Sequence, residues 1–146
     1  MAIDRQRRGL LLACGAVAVS ALAWRHSGQR GHLLLSACDD SDGRHFLAAI
    51  DSNGTLQYRI PVPYRAHDIV PLTARQALYI GRRPAPVAYV VDIDSGVLSR
   101  TLHSPDGRHF YGHGALAADG LLYTSENDYE HRRGIIAVWD TTDNFR

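Results

Sequence analysis

The feature that most constrains this chain is a spacing. Aspartates that close apolar segments stand at Asp51, Asp94 and Asp140, 43 and 46 residues apart, and His67 and His113 also lie 46 apart. A period in the forties, filled by short segments of alternating polar and apolar residues, is that of a four-stranded propeller blade. Helical repeats of similar length need a sustained 3.6-residue apolar pattern, and nothing between residues 31 and 146 has one. The expected fold is therefore all-β, a β-propeller of four-stranded antiparallel sheets.

Taken in order, strands are expected over 32–37, 46–51 and 55–60, with Ser52-Asn53-Gly54 as the hairpin turn and Pro61 and Pro63 as terminators. A second round covers 68–71, 76–81, 88–94 and 97–102, turning at Ser95-Gly96. The third holds strands over 121–125 and 134–140, with Gly112-His113-Gly114 ahead of them and Ala118-Asp119-Gly120 as a turn. This makes about two and a half blades, whereas a propeller closes with four to eight. The expectation is an N-terminal part of a longer protein, seven-bladed when complete.

The first 30 residues are of another kind. Arg5, Arg7 and Arg8 lead into an apolar run over 10–22 that ends in Ala21-Leu22-Ala23. A charged start, a short apolar stretch and a small-x-small site make a secretory signal over 1–23, followed by a polar linker over 24–30. The run is shorter than the roughly 20 apolar residues of a membrane span. Arg7-Arg8-Gly9-Leu10-Leu11 follows the twin-arginine pattern, which addresses a protein to the periplasm. The membrane is then met only through the export signal. Cys14 leaves with that signal, and Cys38, among Leu33, Leu34, Leu35 and Ala37, is expected to be buried. All sixteen basic residues are arginine, against fifteen acids, so no charge excess asks for nucleic acid.

In a blade the connection into the innermost strand and the loop between the second and third strands emerge on one face. This brings His67 and His113 to one channel mouth with Arg82-Arg83 and with Glu126-Asn127-Asp128-Tyr129, read as a loop. Three chemistries could use such a mouth. Neutral imidazoles of His67 and His113, with Glu126 or Asp128, form an N/O donor set suited to iron or another transition metal. Arg65, Arg82 and Arg83 offer charge-assisted donors to an anion. Hydrolysis by a histidine with a carboxylate lacks any activated serine or cysteine context.

A structural account competes with these. In WD-repeat blades a Gly-His and a Trp-Asp share a buried hydrogen-bond network, and Gly112-His113, Thr124 or Ser125, and Trp139-Asp140 have that order. On this account His113 is a buried, satisfied group. Asp-Gly-Arg turns account for His45 and His109, and loop exposure for His131 and Arg132-Arg133.

Several strings also carry a resemblance. Arg65-Ala66-His67, Arg82-Arg83-Pro84, the run RHFYGHG over 108–114, YTSENDY over 123–129 and Arg133-Gly134-Ile135-Ile136 resemble domain-of-unknown-function family 1513. The resemblance implies an exported bacterial propeller more than twice this length. Members are often encoded beside imelysin-type proteins, which implies periplasmic iron-uptake proteins as partners and a metal-related role. It implies no reaction. Ala66 and Asp68 stand where family members often have glycines.

The expectation is thus a periplasmic binding protein acting in iron or other metal acquisition, with His67, His113, Glu126 and Asp128 as metal ligands. Arg65, Arg82, Arg83, Asn127 and Tyr129 are its further ligand contacts. The alternatives are a metal- or cofactor-dependent oxidoreductase using the same residues and a WD-repeat-like interaction scaffold.

Overall fold

The computed structural model describes residues 32–146, together with the backbone of a two-residue strand at Ala23–Trp24. The signal expected over 1–23 and the linker over 24–30 otherwise lie outside the described residues. Among those residues there is no helix; all regular structure is antiparallel sheet. The strands are β1 (Ala23–Trp24), β2 (Leu33–Asp39), β3 (His45–Asp51), β4 (Leu56–Val62), β5 (Ala66–Pro71), β6 (Gln76–Gly81), β7 (Val87–Asp92), β8 (Val97–His103), β9 (Arg108–Leu116), β10 (Leu121–Asp128) and β11 (Arg133–Asp140).

They form three sheets, each a meander of sequential neighbours: β1-β2-β3-β4, β5-β6-β7-β8 and β9-β10-β11. This is the architecture of a partial β-propeller. The middle sheet is covered on both sides, which explains why β6 and β7 read as nearly unbroken apolar runs. Leu35, Leu47 and Ala49 of the first sheet meet Ile69, Tyr79, Tyr89 and Val91 of the second. On its other face Leu78, Ile80, Val90 and Leu102 meet Phe110 and Leu122 of the third, with Trp139 alongside. Each fully buried side chain of this size contributes about 1.5–3 kcal/mol of transfer free energy. Cys38 is buried, as its neighbours suggest.

The turns follow their sequence chemistry with one shift. Asp51, Asp92 and Asp140 each end the third strand of a sheet, and each carboxylate accepts the backbone N–H two residues on, from Asn53, Asp94 and Thr142. The residue that performs this in the second sheet is Asp92, not Asp94. The structural repeat is therefore out of step with the sequence spacing there by two residues. Pro61 does not end β4 either, which continues to Val62. β4 is the edge strand of its sheet, where a missing N–H costs no ladder bond.

The largest departure from expectation is β9. The segment RHFYGHGAL is a strand of nine residues, so His113 lies inside an inner strand, as His67 lies inside β5. Likewise Glu126, Asn127 and Asp128 do not form a loop. They are the last three residues of β10, and only Tyr129 is in the turn.

Candidate functional site

β5 and β9 are the inner strands of adjacent sheets and lie side by side. That placement brings His67 and His113, 46 residues apart in sequence, into edge-to-face contact with ring centroids 5.0 Å apart. The contact depends on Gly112. Its φ is +99°, and a β-carbon there would sit 2.9 Å from His67 Cδ2. Asp68, next to His67, places Oδ2 3.6 Å from His113 Nδ1. Both imidazoles are exposed, and the side chain of His113 retains 66% of its accessible surface. His113 is therefore not the buried network residue of a WD-repeat blade.

The rest of that network does form. Trp139 Nε1–H donates to Thr124 Oγ1 at 2.8 Å, with Thr124 almost fully buried. Ser125 Oγ–H donates to the backbone carbonyl of His113 instead of to its ring.

Arginines stand near the histidine pair, Arg82 and Arg65 acting on His67. Arg83 donates a 2.6 Å hydrogen bond to Tyr111 Oη, two residues before His113. Arg82 lies close enough to His67 to act on it electrostatically. Neither Arg82 nor Arg83 forms an ion pair among the described residues. Arg65 is shared with the first sheet, where its Nε lies 3.4 Å from Asp39 Oδ2, while Asp39 Oδ1 holds His45 Nδ1 at 2.8 Å. Partial burial, then the charges of His113 and Arg82 and of Arg65, depress the His67 pKa against an opposing pull from Asp68.

Glu126 and Asp128 are not brought to this pair. Alternation along β10 turns both toward the second sheet, in register with Phe110 and Arg108. Glu126 is 1% exposed; its Oε2 accepts a hydrogen bond from Ser104 at 3.0 Å, and its buried Oε1 has no partner among the described residues. Burial raises its pKa, with the Ser104 bond and the Arg108 charge working the other way. Asp128 is held by Arg133 Nη2 at 2.9 Å and by the ring and backbone N–H of His131. The Arg133 hydrogen bond, followed by that from His131, drives its pKa far below the usual carboxylate range.

Asn127 is on the opposite face of β10, where it lines a cavity of about 480 Å³ with Tyr111, Ser125 and Ile136. Tyr129 is half-exposed and packs on His109 at 5.5 Å. Sequence reasoning missed Asp68, Tyr111 and the Asp39–His45 pair. The adjacency of Asp68 to His67 was the available signal for the first. Asp39 and His45 face each other across a single hairpin, whereas nothing local marks Tyr111, whose partner Arg83 comes from outside its own sheet.

As a metal centre the cluster is incomplete. Among the described residues no group of three or more His, Cys, Asp or Glu side chains is arranged to hold a metal ion. His67 and His113 can offer two imidazoles, and the remaining ligands would have to arrive with the metal.

The family described as "Protein of unknown function (DUF1513)" matches residues 60–146, a stretch that contains the second and third sheets and every residue of the histidine-arginine cluster. No curated protein matches the chain.

Proposed function

The chain belongs to the DUF1513 family, whose function is unassigned, and from the geometry of the inner strands we propose that it is an exported periplasmic binding protein. Its ligand site is the channel mouth formed by His67, His113, Arg82, Arg83 and Tyr111. Its cargo is iron or another transition metal, delivered to or received from periplasmic iron-uptake proteins. The observation that carries the site is the exposed His67–His113 pair, held edge to face across two sheets by a glycine that leaves room for nothing larger. The pair is a set of exposed polar groups presented by a rigid scaffold, the kind of place where binding residues concentrate. Arg7-Arg8 and the apolar run behind them support export.

Native mass spectrometry on protein recovered from the host periplasm tests the reading. The expected result is added mass from a metal-containing ligand, reduced in His67→Ala and His113→Ala variants that keep the same thermal midpoint. Unmodified mass, followed by no uptake of iron salts or iron chelates in titration, would sink it. Loss of folding in both variants, with ligand retained by the folded fraction, would favour an interaction scaffold.

A further inference from the structure

Charge decides what kind of ligand the mouth can take. Arg65 and Arg82 act on His67 and Arg83 holds Tyr111 beside His113, and among the described residues only Arg65 of the three has a carboxylate partner. The acids nearby are already engaged. Asp39 is shared between His45 and Arg65, and Asp68 faces His113 while its Oδ1 accepts the Ile69 N–H. Even with both histidines neutral, three guanidinium groups outnumber the carboxylates of Asp39 and Asp68 and leave the mouth positive. A bare divalent cation would meet that field and find two imidazoles, with no third side chain among the described residues positioned to complete its shell.

An anion meets the opposite conditions. Arg82 and Arg83 are adjacent, exposed and able to give forked hydrogen bonds to a carboxylate or phosphate. Arg83 is steadied by Tyr111, which also stacks beneath it at 4.9 Å.

Resting on the channel-mouth site proposed above, we infer that the recognised group is an oxyanion, a carboxylate or phosphate, held by Arg82, Arg83 and the His67–His113 pair. Metal cargo accordingly arrives as an anionic complex, with the oxyanion ligand making the protein contacts.

Calorimetric titration of the full chain with sodium citrate, sodium phosphate and zinc chloride, each used alone, tests this. Raising NaCl from about 50 to about 300 mM should weaken binding, since an exposed pair is screened over that range. The exposed Arg82→Ala and Arg82→Ala/Arg83→Ala variants, checked for an unchanged thermal midpoint, should lose about tenfold or more in affinity. Citrate binding without phosphate binding would assign a carboxylate source, and the converse a phosphate source.

Three results overturn the inference. Anion binding unchanged in the double variant would place the anion elsewhere. Zinc saturating the chain through His67 and His113 with neither anion bound would keep the site and remove the oxyanion. No binding of any probe to folded protein would remove both.

Discussion

Gly112 and His67 pack so closely that a β-carbon on Gly112 would stand 2.9 Å from Cδ2 of the ring. With φ at +99°, the position is also one that L side chains rarely adopt. Gly112→Ala should therefore strain β9 and push the His67 ring off His113. The expected cost is about 1–3 kcal/mol, typical of a side chain forced into a sparsely populated backbone region. Urea unfolding measures that cost. In proton NMR the ring-to-ring contact between His67 and His113, whose centroids lie 5.0 Å apart in the wild type, should be lost in the same variant. An unchanged ring-to-ring contact would show that the glycine does not set it.

Two carboxylates on one face of β10 are tuned in opposite directions, and the signs give opposite pH dependences. Burial raises the Glu126 pKa, so the folded state keeps that proton longer than the unfolded chain. Its stabilising contribution is complete below the ordinary glutamate value and falls as pH rises through the raised one. Asp128 is depressed by Arg133 and His131, so its contribution is complete above the ordinary aspartate value and falls as pH drops below it. Glu126→Gln should raise the thermal midpoint at neutral pH relative to its effect at about pH 4. Asp128→Asn should flatten the loss of stability below about pH 4 and lower the midpoint at pH 7. Parallel midpoint-versus-pH curves for wild type and either variant would contradict the assignment.

The Trp139–Thr124 hydrogen bond is separable from the site. Thr124→Val removes the acceptor at nearly constant volume and leaves an indole N–H unpaired, at an expected cost of about 1–2 kcal/mol. Thr124→Ser should recover most of it. Ligand binding per folded molecule should be the same in all three proteins, because His113 takes no part in this bond. A binding defect in Thr124→Val with normal folding would tie the two networks together.

Much of the fold was legible in the residues. The blade period, the all-β class and most strands follow from alternation and from turn chemistry around Asp51 and Asp140, while in the second sheet the turn falls at Asp92 instead of the expected Asp94. β9 was not, because its glycines and histidines break the apolar alternation by which a strand is recognised. Those glycines serve close approach instead: Gly112 to His67, and Gly114 to Ile80, whose Cδ1 would lie 2.6 Å from an added β-carbon.

The site was legible only in part, for a reason of the same kind. Local sequence determined which residues could sit at a blade's mouth, and His67, His113, Arg82 and Arg83 were among them. Tertiary structure decided which of them meet. The side on which Glu126 and Asp128 point is fixed by the pairing register of β10 with β9 and β11, since each single-residue step along a strand reverses the face. That register turned both carboxylates toward the second sheet, away from the histidines. The contact between His67 and His113 belongs to no local segment; it exists because two apolar sheet faces stack and carry their inner strands together.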